Sequence, residues 1–315
     1  MRGEISMAKS RANTGPSGSV GLDLDGDFLA AVTVADGRIQ SAVSAELPDG
    51  AMHDGEVMDP DALGQVLKET FRAGALPRDV RLGVANQQIV VRQLELPRIE
   101  EEKNLEAAVR FQAAEAIAMP LNEVVLDYHK VGDGVDADGN PRTNVVVVAA
   151  RESMIERMVE AVRSAGLRPV GIDLNAFALV RALVSGARDD AARVYCHLGA
   201  ITNLAIAVGS SCLFTRPLTT RPDESGVVDA FQLAEEIRLS IDFYLAQPEI
   251  RPVRELVLSG PRAGVDGLAE QLAAATGLEI VTAEPLGAFD RSTLPAGEDP
   301  RRHTVALGLS LGAVA

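Results

Sequence analysis

The chain of 315 residues has no tryptophan, three tyrosines and eight phenylalanines. Its core must therefore be built from Val, Leu, Ile and Ala, which the 47% hydrophobic content supplies. There are two cysteines, Cys196 and Cys212, too few for a disulfide framework. The four histidines, His53, His129, His197 and His303, lie far apart and form neither a metal-binding spacing nor a nucleophile–base triad. No run approaches the roughly 18 apolar residues of a transmembrane helix. Positive charge is the minority sign. Thirty Lys and Arg stand against 45 Asp and Glu, for a net charge of −15 and a pI of about 4.8, which removes the electrostatic footprint of a nucleic-acid binder. The stretch from Met1 to Ser19 is polar, lacks the apolar segment of a signal peptide and reads as a disordered leader, with Met7 an alternative start. These features fit a cytoplasmic chain.

What is present is α/β patterning in two lobes. Val20, Leu22 and Leu24 alternate with Gly21 and Asp23, Asp25-Gly26 is a turn signal, and a β-rich run resumes at Phe28. Taken alone this is an ordinary hairpin or a glycine turn that admits an anion to backbone N–H groups. Asp59-Pro60 opens a helix ending near Gly74, and residues 79–85 alternate as a strand. Residues 87–150 read as an inserted subdomain: strand 88–96, helix 100–118, and strands 123–131 and 144–150. The Asp-x-Asp-Gly spacing in the turn-rich loop 132–141 reads as a solvated hairpin loop rather than a calcium loop, because the closing glutamate is missing. Helix 152–165, strand 169–174 and helix 175–184 complete the first lobe, and 185–192 is the expected linker. The second lobe, 193–303, then repeats the opening plan. An apolar strand 194–198, a glycine turn 199–202 and a strand 203–208 are followed by a third strand. Such a repeat predicts two related lobes facing each other. A long helix over 229–245, a strand-turn at 255–264, a helix over 268–276 and a small-residue closing helix over 304–315 follow.

Paired glycine-turn meanders, the Leu-x-Leu-Ser-Gly segment at 256–260 and the closing Ala-Leu-Gly-Leu segment at 306–309 resemble the actin-like ATPase superfamily. Several longer segments resemble the PilM family of type IV pilus assembly proteins within it. They include Gly55-Glu-Val-Met-Asp-Pro60, Val90-Val-Arg-Gln-Leu-Glu-Leu-Pro97, Ala107-Ala-Val-Arg-Phe-Gln-Ala-Ala-Glu115, Ala165-Gly-Leu-Arg-Pro-Val-Gly-Ile-Asp173 and Glu236-Ile-Arg-Leu-Ser-Ile-Asp-Phe-Tyr244. The resemblance covers residues 20–315. It implies two ribonuclease H-like lobes with a strand–helix–strand–strand insert in lobe one, residues 20–86 and 151–184 forming the rest of that lobe, and the closing helix packing back on it.

It further implies ATP and Mg²⁺ between the lobes. The opening hairpin with Asp23, Asp25 and Gly26 is then the first phosphate loop, with Asp23 on the Mg²⁺ side. Gly199, Thr202 and Asn203 belong to the second loop, Gly260 to the adenosine loop, and Glu236 lies near the ribose. It implies a groove at Val91, Leu94, Arg110 and Phe111 that receives the N-terminal cytoplasmic peptide of a PilN-like membrane protein. That peptide would hold the chain at the inner face of the cytoplasmic membrane among other pilus platform components. On the residues alone, the apolar members of the groove set read equally as core.

The phosphate loops depart from the family pattern. Asp25 stands where the family has glycine, Asp27 where it has a small hydroxyl residue, and His197 where it has aspartate. A carboxylate about 5 Å from a phosphate oxygen costs roughly 3 kcal/mol at an effective dielectric near 20, whereas a shared Mg²⁺ reverses the sign. The expected function is accordingly a scaffold with degenerate ATP binding and weak or no hydrolysis. A filament-forming ATPase of the FtsA or actin type is the alternative, followed by a kinase of the same superfamily.

Overall fold

In a computed structural model, the described residues are 19–136, 138–184, 191–223, 227–247, 250–285, 294 and 298–312. Lobe one opens with an antiparallel meander, β1 (Val20–Leu24), β2 (Phe28–Ala35) and β3 (Arg38–Glu46). A short ribbon, β4 (Met52–His53) with β5 (Glu56–Val57), leads into α1 (Pro60–Ala73) and β6 (Asp79–Val84). The insert is β7 (Val90–Pro97), α2 (Glu102–Ala116), β8 (Val124–Val135) and β9 (Pro141–Arg151). Then come α3 (Glu152–Ser164), β10 (Arg168–Leu174) and α4 (Asn175–Leu183). Lobe two comprises β11 (Ala192–Leu198), β12 (Thr202–Val208), β13 (Ser211–Pro217), α5 (Ala230–Leu245), β14 (Val253–Ser259), α6 (Leu268–Thr276) and β15 (Glu279–Thr282). A 3₁₀ turn, Pro300–His303, precedes α7 (Thr304–Leu311).

The two large sheets share one topology. Lobe one runs β3-β2-β1-β6-β10 and lobe two β13-β12-β11-β14-β15. In each, the first three strands are antiparallel and the last two join in parallel. All five residues of β1 are buried, polar Asp23 included, because helices cover both faces of its sheet. Gly21 explains how close the cover comes: a Cβ there would lie 2.0 Å from the Ala306 carbonyl oxygen of α7. The closing helix therefore packs back on lobe one.

The insert has its own core. Leu96, Leu105, Val109, Ala113, Val145, Val147 and Ala149 pack together beneath α2. The alternate residues Val148 and Ala150 of β9 face the lobe-one core instead. Burial on both sides is why Val145–Ala150 reads as one continuous apolar run rather than an alternating strand.

Most elements lie where the sequence predicts them, with local differences. α1 is capped as expected: the Asp59 carboxylate accepts from the Asp61 and Ala62 amides at 3.1 and 2.9 Å, a cap contributing about 1 kcal/mol. α2 starts at Glu102 rather than 100, because Glu101 is extended and supplies no side-chain cap. β8 runs on to Val135, into the stretch expected as loop. The remaining turn is tied by Asp136, whose carboxylate takes Asn140 and Arg142 and is held at about 2. The hairpin β4–β5 has no apolar alternation to announce it. It depends on Asp54 and Gly55 at positive φ, with Gly55 against the Ala85 carbonyl. Asp299 caps the 3₁₀ turn Pro300–His303 that leads into α7. Ala192, at the end of the expected linker, already belongs to β11 and pairs with Val253 of β14. Residues 1–18 of the expected leader, 185–190 of the linker and 313–315 of the closing segment lie outside the described residues.

Candidate functional site

The two meander turns face each other across the cleft between the lobes. In lobe one the turn is Asp25-Gly26-Asp27, closed by the Asp25 amide donating to the Phe28 carbonyl at 2.9 Å. Gly26 takes the positive φ, 85°, that a hairpin turn requires. In lobe two the corresponding turn is Gly199-Ala200-Ile201, between paired Leu198 and Thr202. Lobe one's turn presents carboxyl groups, and lobe two's presents backbone N–H groups.

These complementary groups meet. The Ala200 amide donates to Asp25 Oδ2 at 2.9 Å, and the Ile201 amide adds to its pull on this carboxyl. Asp25 is 3% exposed. The seat admits it only because residue 199 is glycine, since a Cβ at 199 would stand 2.3 Å from Asp25 Oδ2. Burial raises the Asp25 carboxyl to about 7 against the pull of the two amides and of Arg262. Outside it, Arg262 Nη2 pairs with Asp27 Oδ2 at 3.1 Å, again from lobe two to lobe one. A third bridge joins Arg221 Nη1 to Asp54 Oδ1 at 2.5 Å. A cleft of about 660 Å³ opens beside these contacts, lined among others by Gly26, Gly55, Ile201, Arg221 and Arg262.

Behind Asp25 lies a buried polar cluster. Asn175 Nδ2 donates to Asp23 Oδ1 at 2.9 Å, while Asp23 Oδ2 has no partner among the described residues. Burial, and then the neighbouring Asp25, pushes the Asp23 carboxyl well above the usual range. His197 is 1% exposed with both ring nitrogens unpartnered among the described residues. Burial and the Arg262 charge lower it to about 4, so it is neutral at pH 7. Thr202 is buried beside it in sequence with its hydroxyl also unpartnered among the described residues, and Asn203 Nδ2 donates to the Ile201 carbonyl at 3.2 Å.

The other predicted residues are placed apart from this cluster. Both oxygens of Glu236 on α5 are taken by the amides and hydroxyls of Thr219 and Thr220. Burial opposes ionisation there, but these bonds together hold the carboxyl below its usual range. Glu236 thus ties down the turn after β13. Arg238 turns away to Glu235 and the Ala275 carbonyl. Gly260, at φ 93°, lies against the Leu198 backbone. In the insert, Val91 and Leu94 are three residues apart on β7 and therefore on opposite faces. Val91 packs on the lobe-one core and Leu94 on the insert core. Arg110 and Phe111 are both exposed on α2. Arg262, Asn175 and the Asp54–Arg221 pair escaped the sequence reading. The one available signal for Arg262 was a cation in a loop opposite an acidic turn.

The model of the family described as type IV pilus assembly protein PilM matches residues 29–216. The chain belongs to the PilM family of type IV pilus assembly proteins. A solved structure of a PilM–PilN type IV pilus biogenesis complex contains a chain that is 25% identical to this PilM-family chain. The similarity covers 94% of this chain and 98% of that one, with a TM-score of 0.80. Two more distant structures share the actin-like fold. The ethanolamine utilization protein EutJ of Carboxydothermus hydrogenoformans is 15% identical, with 94% and 90% covered and a TM-score of 0.54. The cytoplasmic domain of EpsL, an inner-membrane component of the Vibrio cholerae type II secretion system, is 13% identical, with 94% of each chain covered and a TM-score of 0.51. Among the described residues no helix is long and apolar enough to cross a membrane.

The fold implies ATP and Mg²⁺, and the site residues can be tested against that group. The N–H groups of the second loop suit an anion, but the Asp25 carboxyl already satisfies them. Glu236 has no free oxygen for a ribose. Among the described residues no group of three or more His, Cys, Asp or Glu side chains gathers to hold a metal ion. The residues present do not fit a nucleotide whose phosphate sits on the second loop in this arrangement.

Proposed function

We propose that this PilM-family chain is a scaffold of the type IV pilus inner-membrane platform. It binds the N-terminal cytoplasmic peptide of a PilN-like membrane protein and is held at the inner face of the cytoplasmic membrane through that partner. The observation that carries this reading is the similarity, over 94% of the chain, to a chain of the PilM–PilN complex. The insert supports it as well. It has its own core, and α2 presents Phe111 at 68% exposure next to Arg110, an aromatic and a cation available to a peptide. Half-buried Leu94 packs on the insert core beneath α2, and half-buried Val91 packs on the lobe-one core.

The test is calorimetric titration of the chain with a synthetic peptide of the PilN-like N-terminus from the same genome. We expect micromolar binding, weakened at least about tenfold by Phe111→Ala. No binding at 100-fold higher peptide concentration would remove the reading.

A further inference from the structure

We propose that the Asp25 carboxyl group is a built-in occupant of the second loop's anion seat, so that the two lobes are joined across the cleft without nucleotide and no phosphate can take that seat until Asp25 leaves it. This goes beyond the peptide-binding reading and does not depend on it.

Three observations carry it. The Ala200 amide donates to Asp25 Oδ2 at 2.9 Å, so a donor that would cradle a phosphate already has an acceptor from its own chain. The fit is steric as well as polar, since Gly199 leaves no gap between its Cα and the carboxyl into which another anion could slide. The seat is also closed from outside: Gly26 stands so near Ala200 that a Cβ at 26 would come within 3.1 Å of the Ala200 methyl, and Asp27 pairs with Arg262 just beyond. Occupancy of this kind excludes a phosphate in either protonation state. The ionised carboxyl repels it and the neutral one still fills the volume. The lobe-one turn therefore acts as an internal ligand, and the ordering that a nucleotide provides by bridging two loops is provided here within the chain.

The test is titration of the full chain with a fluorescent ATP analogue and Mg²⁺, and separately with inorganic pyrophosphate, for the wild type and Asp25→Ala. The wild type should bind neither below about millimolar concentration. Asp25→Ala should bind pyrophosphate, ATP or both at least tenfold more tightly, because the Ala200 amide is released and the carboxyl no longer fills the seat. Asp25→Ser, whose side chain stops short of the seat, serves if the alanine variant does not fold. Hydrogen exchange on the wild type gives an independent reading. The Ala200 and Ile201 amides should exchange slowly, and adding Mg·ATP should not change them. Tight ATP binding by the wild type, affinity that falls when Asp25 is removed, or nucleotide-induced protection of these two amides would each overturn the proposal.

Discussion

The turns that join the first two strands of each lobe occupy equivalent places in two sheets of the same order, yet they are chemical opposites. Asp25-Gly26-Asp27 carries two carboxyl groups. Gly199-Ala200-Ile201 carries no ionisable side chain and offers its amides. A duplicated architecture fixes where two loops meet but not what passes between them. In this chain one copy has become the ligand of the other. Two ion pairs at the mouth of the cleft follow the same division: Asp27 and Asp54 of lobe one meet Arg262 and Arg221 of lobe two.

The sharpest way to break the comparison is to give lobe two's turn a side chain. Gly199→Ala places a methyl 2.3 Å from the Asp25 carboxyl. It should lower stability by about 3 kcal/mol, the upper end for overpacking a rigid site. Asp25→Ala in the same chain should recover much of that loss. A double-mutant cycle read by urea denaturation measures the coupling, and additive losses would mean that the two turns do not share one seat.

A smaller effect separates the carboxyl's charge from its shape. Burial raises Asp25 from 3.8 to about 7. Between those values the folded chain binds more protons than the unfolded one, so this group's contribution is fully present below about pH 4 and is lost as pH rises through 7. Asp23, raised for the same reason, works in the same direction, whereas His197, lowered to about 4, works in the opposite one. The charged groups Arg262 and Asp27 also face Asp25. His197 remains in Asp25→Asn, so the difference between the two proteins reports Asp25 together with its effect on the neighbouring Asp23. The Tm advantage of Asp25→Asn over the wild type should grow from pH 4 to 7 and level off above. A pH-independent difference would place Asp25 at its ordinary value.

The smallest effect belongs to the outer bridge. Arg262→Ala removes a pair whose Asp27 partner is 60% exposed. It should cost less than about 1 kcal/mol, and the cost should shrink further in high salt. A larger loss would move the main interlobe contact from the buried seat to the rim.

Much of the fold was legible because it depends on local pattern. Strand alternation at Val20–Leu24, the Asp59-Pro60 helix start and the glycine turns at 26 and 199 are properties of a few neighbouring residues. β4–β5 was not legible, since two positive-φ residues and a tight approach to Ala85 hold it rather than an apolar period. At the site, Asp23, Asp25, Gly26, Gly199, Thr202 and Asn203 were visible as two loops. The sequence reading left Asp25 two fates, repelling a phosphate or sharing a Mg²⁺, and neither included an amide 175 residues away. The resemblance put Glu236 near a ribose, and its saturation by Thr219 and Thr220 was not legible. Val91 and Leu94 stood close in sequence, yet a strand's period of two sends them to different cores.

The sequence by itself determined the α/β class, the two-lobed repeat and the insert, because each is written in periodicity and turn chemistry within tens of residues, and it carried the segments that resemble the PilM family. Only the tertiary structure decided what the acidic opening turn does. A carboxyl's effect depends on which donors lie within 3 Å, and here those donors belong to the other lobe.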